Sequence, residues 1–230
     1  MLKKLALGSA IALCMTILNG TARADNIPIA NPSFEEITGT LNVPCGTGCA
    51  YNGGPIPGWS VISGGSWQPG SYFTSVPDGK LIGFVNATRS LSQTLTGDSV
   101  LTNSVYTLSV FVGERSDGTS GMYTLSLDTI LGGVTTTLCS VSGDAATSIA
   151  RGTFQLKSCS YPSGSSVPSG DLFLNLTANS GQLDVDNVSL TVEPATGVPE
   201  PSSILLLGTG MLFVFSTLIV RRKKELQLTA

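Results

Sequence analysis

The chain of 230 residues contains no histidine. That absence removes Ser-His and Cys-His nucleophile pairs and most catalytic zinc sites, which use imidazole as base or ligand. No glycine-rich phosphate loop with its lysine occurs, and no dinucleotide fingerprint. No stretch between the termini keeps a sustained 3.6-residue apolar period, so amphipathic helices are not the framework. Charge is scarce, at 12% of residues. Between Asp25 and Glu193 the basic residues are five, Lys80, Arg89, Arg115, Arg151 and Lys157, against thirteen acidic ones, a balance of −8. An acidic body of this kind excludes nucleic acid and anionic lipid as partners and suits neutral glycans or cations.

Long apolar runs are confined to the two ends. At the first, Lys3 and Lys4 precede an apolar stretch from Leu5 to Leu18, and Ala22-Arg23-Ala24 supplies a small-x-small cleavage pattern. This predicts a secretory signal peptide over 1–24. At the second, Ser203 to Val220 holds 18 uncharged residues. As a helix it would cover about 27 Å of a hydrocarbon core about 30 Å thick. Arg221, Arg222, Lys223 and Lys224 follow at once, which by the positive-inside rule keeps residues 221–230 in the cytoplasm. The expected organisation is therefore an exported domain over 25–193, a linker over 194–202, a transmembrane helix over 203–220 and a basic tail. The exported domain is held at the inner membrane by its C-terminal end.

Cysteine usage agrees with export. Cys14 leaves with the signal, and Cys45, Cys49, Cys139 and Cys159 remain. Four cysteines allow three pairings. The spacing favours Cys45–Cys49 across the glycine-containing loop CGTGC and Cys139–Cys159 as a clip between more distant segments. The second bridge is worth about 3 kcal/mol in a chain-entropy model. The C-x3-C spacing also loosely suits zinc, but an oxidising compartment favours disulfides.

Short alternating runs fill the body. Tyr106, Leu108, Val110 and Val112 share one face of their run. So do Tyr123, Leu125 and Leu127, and likewise Leu172, Leu174 and Leu176. Leu91 and Leu95 flank Gln93 on a common face, and Phe154 and Leu156 add a further run. Gly/Ser turns separate them, so the fold class is all-β, a β-sandwich. In LDVDNVSLTV the apolar phase flips at Asp186-Asn187. Either a β-bulge or a turn between two strands produces such a flip. The segment from Leu41 to Gly79 shows no clear strand and carries Trp59, Trp67, Tyr51, Tyr72 and Phe73. A loop region of that length in a compact domain is usually functional or poorly ordered.

Two resemblances follow from these residues. Pro199-Glu200-Pro201, the apolar run and the cluster Arg221, Arg222, Lys223 and Lys224 together resemble the PEP-CTERM sorting signal of bacterial exported proteins. The resemblance implies recognition by an exosortase-type sorting protease, an inner-membrane intermediate and final residence at the cell surface or in the extracellular matrix. NPSFEE at 31–36, IPGW at 56–59, the DGKLIGFVN and SLSQTL stretch, YTLSVFVGERSD at 106–117 and the closing LDVDNVSLT resemble a galactose-binding-like jelly roll, as in carbohydrate-binding modules. That resemblance implies a structural calcium between the first motif and the last strand, which in this sequence falls on Glu35 or Glu36 and Asp186. Calcium takes six to eight oxygen ligands, so carboxylates, backbone carbonyls and water suffice.

Glycan recognition needs a flat aromatic face with polar groups at its edge. Trp67, Tyr72 and Tyr51 supply faces, with Arg89, Gln93 and Glu114 for hydrogen bonds, whereas Trp59 in its Pro-Gly-Trp context reads as core. Among the acids Glu35, Glu36, Glu114, Asp117, Asp184 and Asp186, no spacing singles out a catalytic pair. The expectation is a non-catalytic domain that binds extracellular polysaccharide, with a structural matrix component and a glycan hydrolase as alternatives. Deleting Val198 to Ala230 is expected to release a soluble domain into the periplasm. Persistence of the truncated protein in the inner-membrane fraction would contradict the reading of the tail.

Overall fold

A computed structural model describes residues 24–195. The signal peptide up to Arg23, the Pro-Glu-Pro motif, the apolar run and the basic cluster lie outside these residues. Among the described residues no helix is long and apolar enough to cross a membrane.

Thirteen strands follow in chain order: β1 (Asp25–Asn26), β2 (Val43–Gly46), β3 (Cys49–Asn52), β4 (Ser60–Val61), β5 (Gly64–Pro69), β6 (Ile82–Asn86), β7 (Arg89–Ser99), β8 (Ser104–Glu114), β9 (Met122–Leu131), β10 (Val134–Asp144), β11 (Thr153–Pro162), β12 (Asp171–Ala178) and β13 (Gln182–Pro194). A 3-10 turn at Gly70–Tyr72 and the one-turn helix α1 (Ala145–Ser148) complete the framework. One sheet has eight strands in the order β11-β8-β13-β6-β5-β3-β2, with β1 added to β13. The other has five, in the order β10-β9-β12-β7-β4. Every ladder between the named strands is antiparallel. Two sheets packed face to face make the jelly-roll sandwich that the alternation implies.

The alternating residues meet between the sheets. Tyr106, Leu108, Val110 and Val112 of β8 face Leu125 and Leu127 of β9 and Leu172, Leu174 and Leu176 of β12 across one buried cluster. Trp59 is core, as its context suggests; its indole Nε1 donates to the Asn31 carbonyl at 3.1 Å. Cys139 of β10 and Cys159 of β11 are bridged. These strands are the edges of different sheets, so the bridge closes one side of the sandwich. Cys45–Cys49 closes the β2–β3 hairpin.

The phase flip in the last run is a bulge inside one continuous strand. In β13, Asp186 pairs with Phe111 and Ser189 with Ser109, so one extra residue is accommodated. Asn187 absorbs it in the left-handed region, at φ 46°. As a result Leu183 and Val185 before the bulge and Val188 and Leu190 after it all enter the same core.

The segment from Leu41 to Gly79 contains β2, β3, β4 and β5, contrary to the loop reading of its sequence. Glycine conceals β5 from a hydrophobic pattern. A β-carbon at Gly64 would run into the Phe84 carbonyl, and one at Gly65 into the Asn52 carbonyl. Close backbone approach therefore replaces the apolar alternation that marks an ordinary strand.

Candidate functional site

Successive side chains of a strand point to opposite faces. The strands of the larger sheet that send Val85, Val112, Leu183 and Val185 inward therefore send Phe84, Asp184 and Asp186 outward. On that outer face Trp67, Phe73, Ile82, Phe84 and Cys49 form a second buried cluster, flanked by Tyr51, Tyr72, Cys45 and Phe154. A cavity of about 370 Å³ opens beside it. Its aromatic walls are Tyr51, Trp67, Tyr72 and Phe84, and its polar groups are Ser63, Asn86, Arg115 and Gln182. Trp67 and Tyr72 stand 5.6 Å apart between ring centroids. The Arg115 guanidinium lies over both, 4.3 Å from the Tyr72 centroid and 5.2 Å from that of Trp67.

Hydrogen-bonded to the cavity-lining Gln182 is a buried acid. Asp184 is fully buried. Its Oδ1 accepts from Nε2 of Gln182 at 2.6 Å, and its Oδ2 accepts a longer bond from Ser120 Oγ at 3.4 Å. Burial pushes its carboxyl up to about 7, against the opposing pull of Gln182, Arg115 and Ser120. A carboxylic acid with that value holds a proton near neutral pH and can release it. Burial also works to raise Asp117, but its bonds from Arg115 and Thr119 outweigh this and hold it below the usual carboxylate range.

The sequence-derived ligand set divides. Trp67, Tyr72 and Tyr51 are brought together, although Trp67 is a buried wall rather than an exposed platform. Arg89, Gln93 and Glu114 do not join them. Arg89 is exposed at the start of β7. Gln93 is buried and pins the N-terminal segment, accepting from the Ala30 N–H at 2.8 Å and donating to its carbonyl at 3.0 Å. Its place on the face of Leu91 and Leu95 already indicated burial. Glu114 lies on the inward face of β8, fully buried, and neither of its oxygens has a hydrogen-bond partner. Burial raises its carboxyl above the ordinary range. Ser120 stands near enough to favour its charged form, but donates to Asp184 instead. Arg115, Gln182 and Phe84 escaped the sequence reading because their strands become neighbours only through long-range pairing.

The expected cation ligands also divide. Glu35 Oε1 accepts from the N–H groups of Lys80 and Leu81, both at 2.6 Å. Asp186 is fully buried, accepting from the Asp78 N–H at 2.9 Å and the Asn187 N–H at 2.7 Å. Burial pushes Asp186 up to about 7, and the negative charges of Asp78 and Glu35 add to the rise. Asp78 itself, unmarked in sequence, accepts from Ser33 Oγ at 2.6 Å. Glu36 is exposed and meets Asn31 through its backbone. Among the described residues no three acids sit close enough together to form a ready metal-binding group.

The profile of the HpiC1-like family, described as HpiC1 cyclase, matches residues 25–191. The chain belongs to this family of cyclases. The PEP-CTERM protein-sorting motif matches residues 197–223 and marks an exported protein with a C-terminal sorting signal. No curated protein matches the chain. Among solved structures, an apo cyclase from Fischerella sp. is similar at 22% identity and TM-score 0.61, over 76% of this chain and 98% of that one. A cyclase from Fischerella sp. TAU in complex with 4-(1H-indol-3-yl)butan-2-one is similar at 22% identity and TM-score 0.60, over 75% and 100%. The CBM22-1 xylan-binding domain from Paenibacillus barcinonensis Xyn10C has 15% identity and TM-score 0.46, over 77% and 100%.

The family match corrects the expectation of a non-catalytic domain. The absence of histidine excludes nucleophile systems built on imidazole, but places no limit on acid catalysis by a buried carboxyl. The raised Asp184 carboxyl also has a consequence for stability. Its value near 7 in the fold exceeds that of the unfolded chain, so its contribution is complete below about pH 4 and is lost as pH rises through 7. Urea unfolding in EDTA is expected to show stability falling from pH 5 to pH 8. The Asp184→Asn variant should flatten that fall by up to about 1.4 kcal/mol per pH unit. An unchanged pH profile in Asp184→Asn would contradict the assignment.

Proposed function

We propose that the cavity on the outer face of the larger sheet binds a planar, unsaturated small molecule, that Asp184 gives it a proton, and that ring closure of the resulting cation returns a proton to the Asp184 carboxylate. The observation that carries this reading is the fully buried Asp184 carboxyl, bonded to Gln182, which lines the cavity together with Trp67, Tyr72, Tyr51 and Phe84. Aromatic walls hold a flat ring by stacking, and a general acid beside it contributes about 10²- to 10⁴-fold in rate. Membership of a cyclase family supports this chemistry, and the indole ketone held by the Fischerella relative gives a probe of suitable shape. Ser63, Asn86 and Gln182 at the rim favour a second reading, a glycan ring in the same cavity.

The test follows 4-(1H-indol-3-yl)butan-2-one in heavy water, reading its affinity and the deuterium that enters beside its ketone when Asp184 protonates the ketone oxygen, water takes the proton of the adjacent carbon, and the enol reverts by taking a deuteron at that carbon. Trp67→Ala is expected to weaken binding at least tenfold. Asp184→Asn should retain binding and lose incorporation by about 100-fold or more. Equal incorporation by Asp184→Asn and the unaltered protein would overturn the proton-donor reading. Saturable, Trp67-dependent binding to a polysaccharide panel in place of probe binding would establish the glycan reading.

The same exported chain carries its sorting signal, and we infer that an exosortase-type protease acts on the inner-membrane form and passes the domain to the surface or matrix. Calcium belongs to this proposal as a structural ion rather than a reactant. Glu35 and Asp186 would supply two of the hard oxygen donors it needs, with backbone carbonyls and water for the rest, and a cation would compensate the burial of Asp186. Millimolar calcium is expected to raise the melting temperature over EDTA, by about 2.7 kcal/mol of added stability at a hundred times Kd. Asp186→Asn should abolish that rise and Glu36→Gln should leave it intact. An identical calcium response in Asp186→Asn would remove the site.

A further inference from the structure

Every donor that reaches Asp184 is itself held by one residue. Ser120 Oγ, which donates to Asp184 Oδ2, accepts from the backbone N–H of Arg115 at 3.1 Å. Gln182, which donates to Asp184 Oδ1 through Nε2, accepts at its Oε1 from Nη1 of Arg115, also at 3.1 Å. Two routes to the buried acid therefore converge on Arg115, one through its main chain and one through its guanidinium.

The guanidinium is in turn fixed on its other edge. Nε donates to Asp117 Oδ1 at 3.1 Å and Nη2 donates to Asp117 Oδ2 at 2.7 Å, a two-pronged ion pair. Asp117 Oδ1 also accepts from the N–H and the hydroxyl of Thr119, at 3.3 and 2.9 Å, so the carboxylate is locked into the turn that follows β8. The backbone of that turn is stitched to Gln182. The Gln182 N–H donates to the Thr119 carbonyl, and the Gly121 N–H to the Gln182 carbonyl, each at 3.3 Å. With its edges occupied in this way, the flat guanidinium lies against Tyr72 and Trp67. Only a planar fork can bond along its edges and stack through its face at the same time; a lysine ammonium cannot.

We propose that Arg115, clamped by Asp117, is the positioning residue of this site, fixing both groups that donate to Asp184 while its guanidinium lies against Trp67 and Tyr72. The clamp is carried by these hydrogen bonds and can be measured on its own; only its part in the reaction rests on the reading of Asp184 as the proton donor. Gln182 is the reporter, because its side-chain amide faces Arg115 with one atom and Asp184 with the other. Gln93 is an internal control, since its amide is bonded to Ala30 rather than to this network.

The experiment uses the full-length chain in phospholipid nanodiscs, with ¹⁵N-labelled glutamine. It reads the shift and hydrogen exchange of the Gln182 and Gln93 side-chain amides in the unaltered protein, Arg115→Met, Arg115→Lys and Asp117→Asn. Expected is a displaced Gln182 signal exchanging at least tenfold faster in all three variants, with Gln93 unmoved. Deuterium incorporation into 4-(1H-indol-3-yl)butan-2-one should fall with it, and Asp117→Asn, which leaves every cavity-lining residue in place, should retain binding. If Arg115→Met disturbs Gln93 as well, it has unfolded, and Asp117→Asn, which keeps the arginine, decides. An unmoved Gln182 signal in Asp117→Asn, or unaltered behaviour in Arg115→Lys, overturns the proposal. If Gln182 responds but Asp184→Asn still incorporates deuterium, the clamp stands and the proton-donor reading fails. If Asp184→Asn is inactive and Gln182 is silent, the reverse holds.

Discussion

One extra residue in β13 organises both faces of the larger sheet. A regular strand sends alternate residues to alternate sides, so the sequence LDVDNVSLTV, threaded without a bulge, would place either Leu183 and Val185 or Val188 and Leu190 in solvent. The left-handed Asn187 resets the phase. Both apolar halves then enter the inter-sheet core. The intervening acids are left on the opposite face, and there the neighbouring strands bury them. Asp184 and Asp186 are thus brought out of water as a consequence of satisfying the core.

Burial of these carboxyls explains their chemistry. A buried carboxylate is costly, and the protein lowers that cost by hydrogen bonds or by leaving the group protonated. Asp184 has a side-chain amide, a hydroxyl and the nearby charge of Arg115, yet burial still dominates. Arg115 does not quench it because Asp117 occupies two of its nitrogens. The same arrangement that keeps Arg115 flat against Tyr72 therefore leaves Asp184 able to hold a proton. This is how a chain with no histidine can assemble an acid near neutrality.

The cavity owes its existence to glycine as much as to aromatic residues. Gly64 and Gly65 let β5 approach β3 and β6 so closely that no β-carbon fits, and this brings Trp67 beside Tyr51 and Phe84. The hairpin closed by Cys45–Cys49 forms the neighbouring wall, with the Tyr72 hydroxyl donating to the Cys45 carbonyl at 3.3 Å. Each of these features lies in the stretch that alternation cannot read. Aromatic density and turn residues marked it as a place where a site forms, but not which side chains would meet.

The sequence by itself determined the sandwich and the sorting signal and favoured the two disulfide pairs that the structure holds, because each depends on local pattern. Alternation fixes strands, cysteine spacing and export chemistry narrow the bridges, and a contiguous motif is read as it stands. It also supplied three walls of the cavity and two of the acids of the cation proposal. Only the tertiary structure decided that Gln93 and Glu114 turn away from the cavity, that the Asp78 N–H donates to Asp186, and that Arg115, Gln182 and Asp184 form one network. Those relations run between strands separated by dozens of residues in the chain. Their physical origin is the register of long-range ladders and the burial it imposes, and neither is written in any local stretch of sequence.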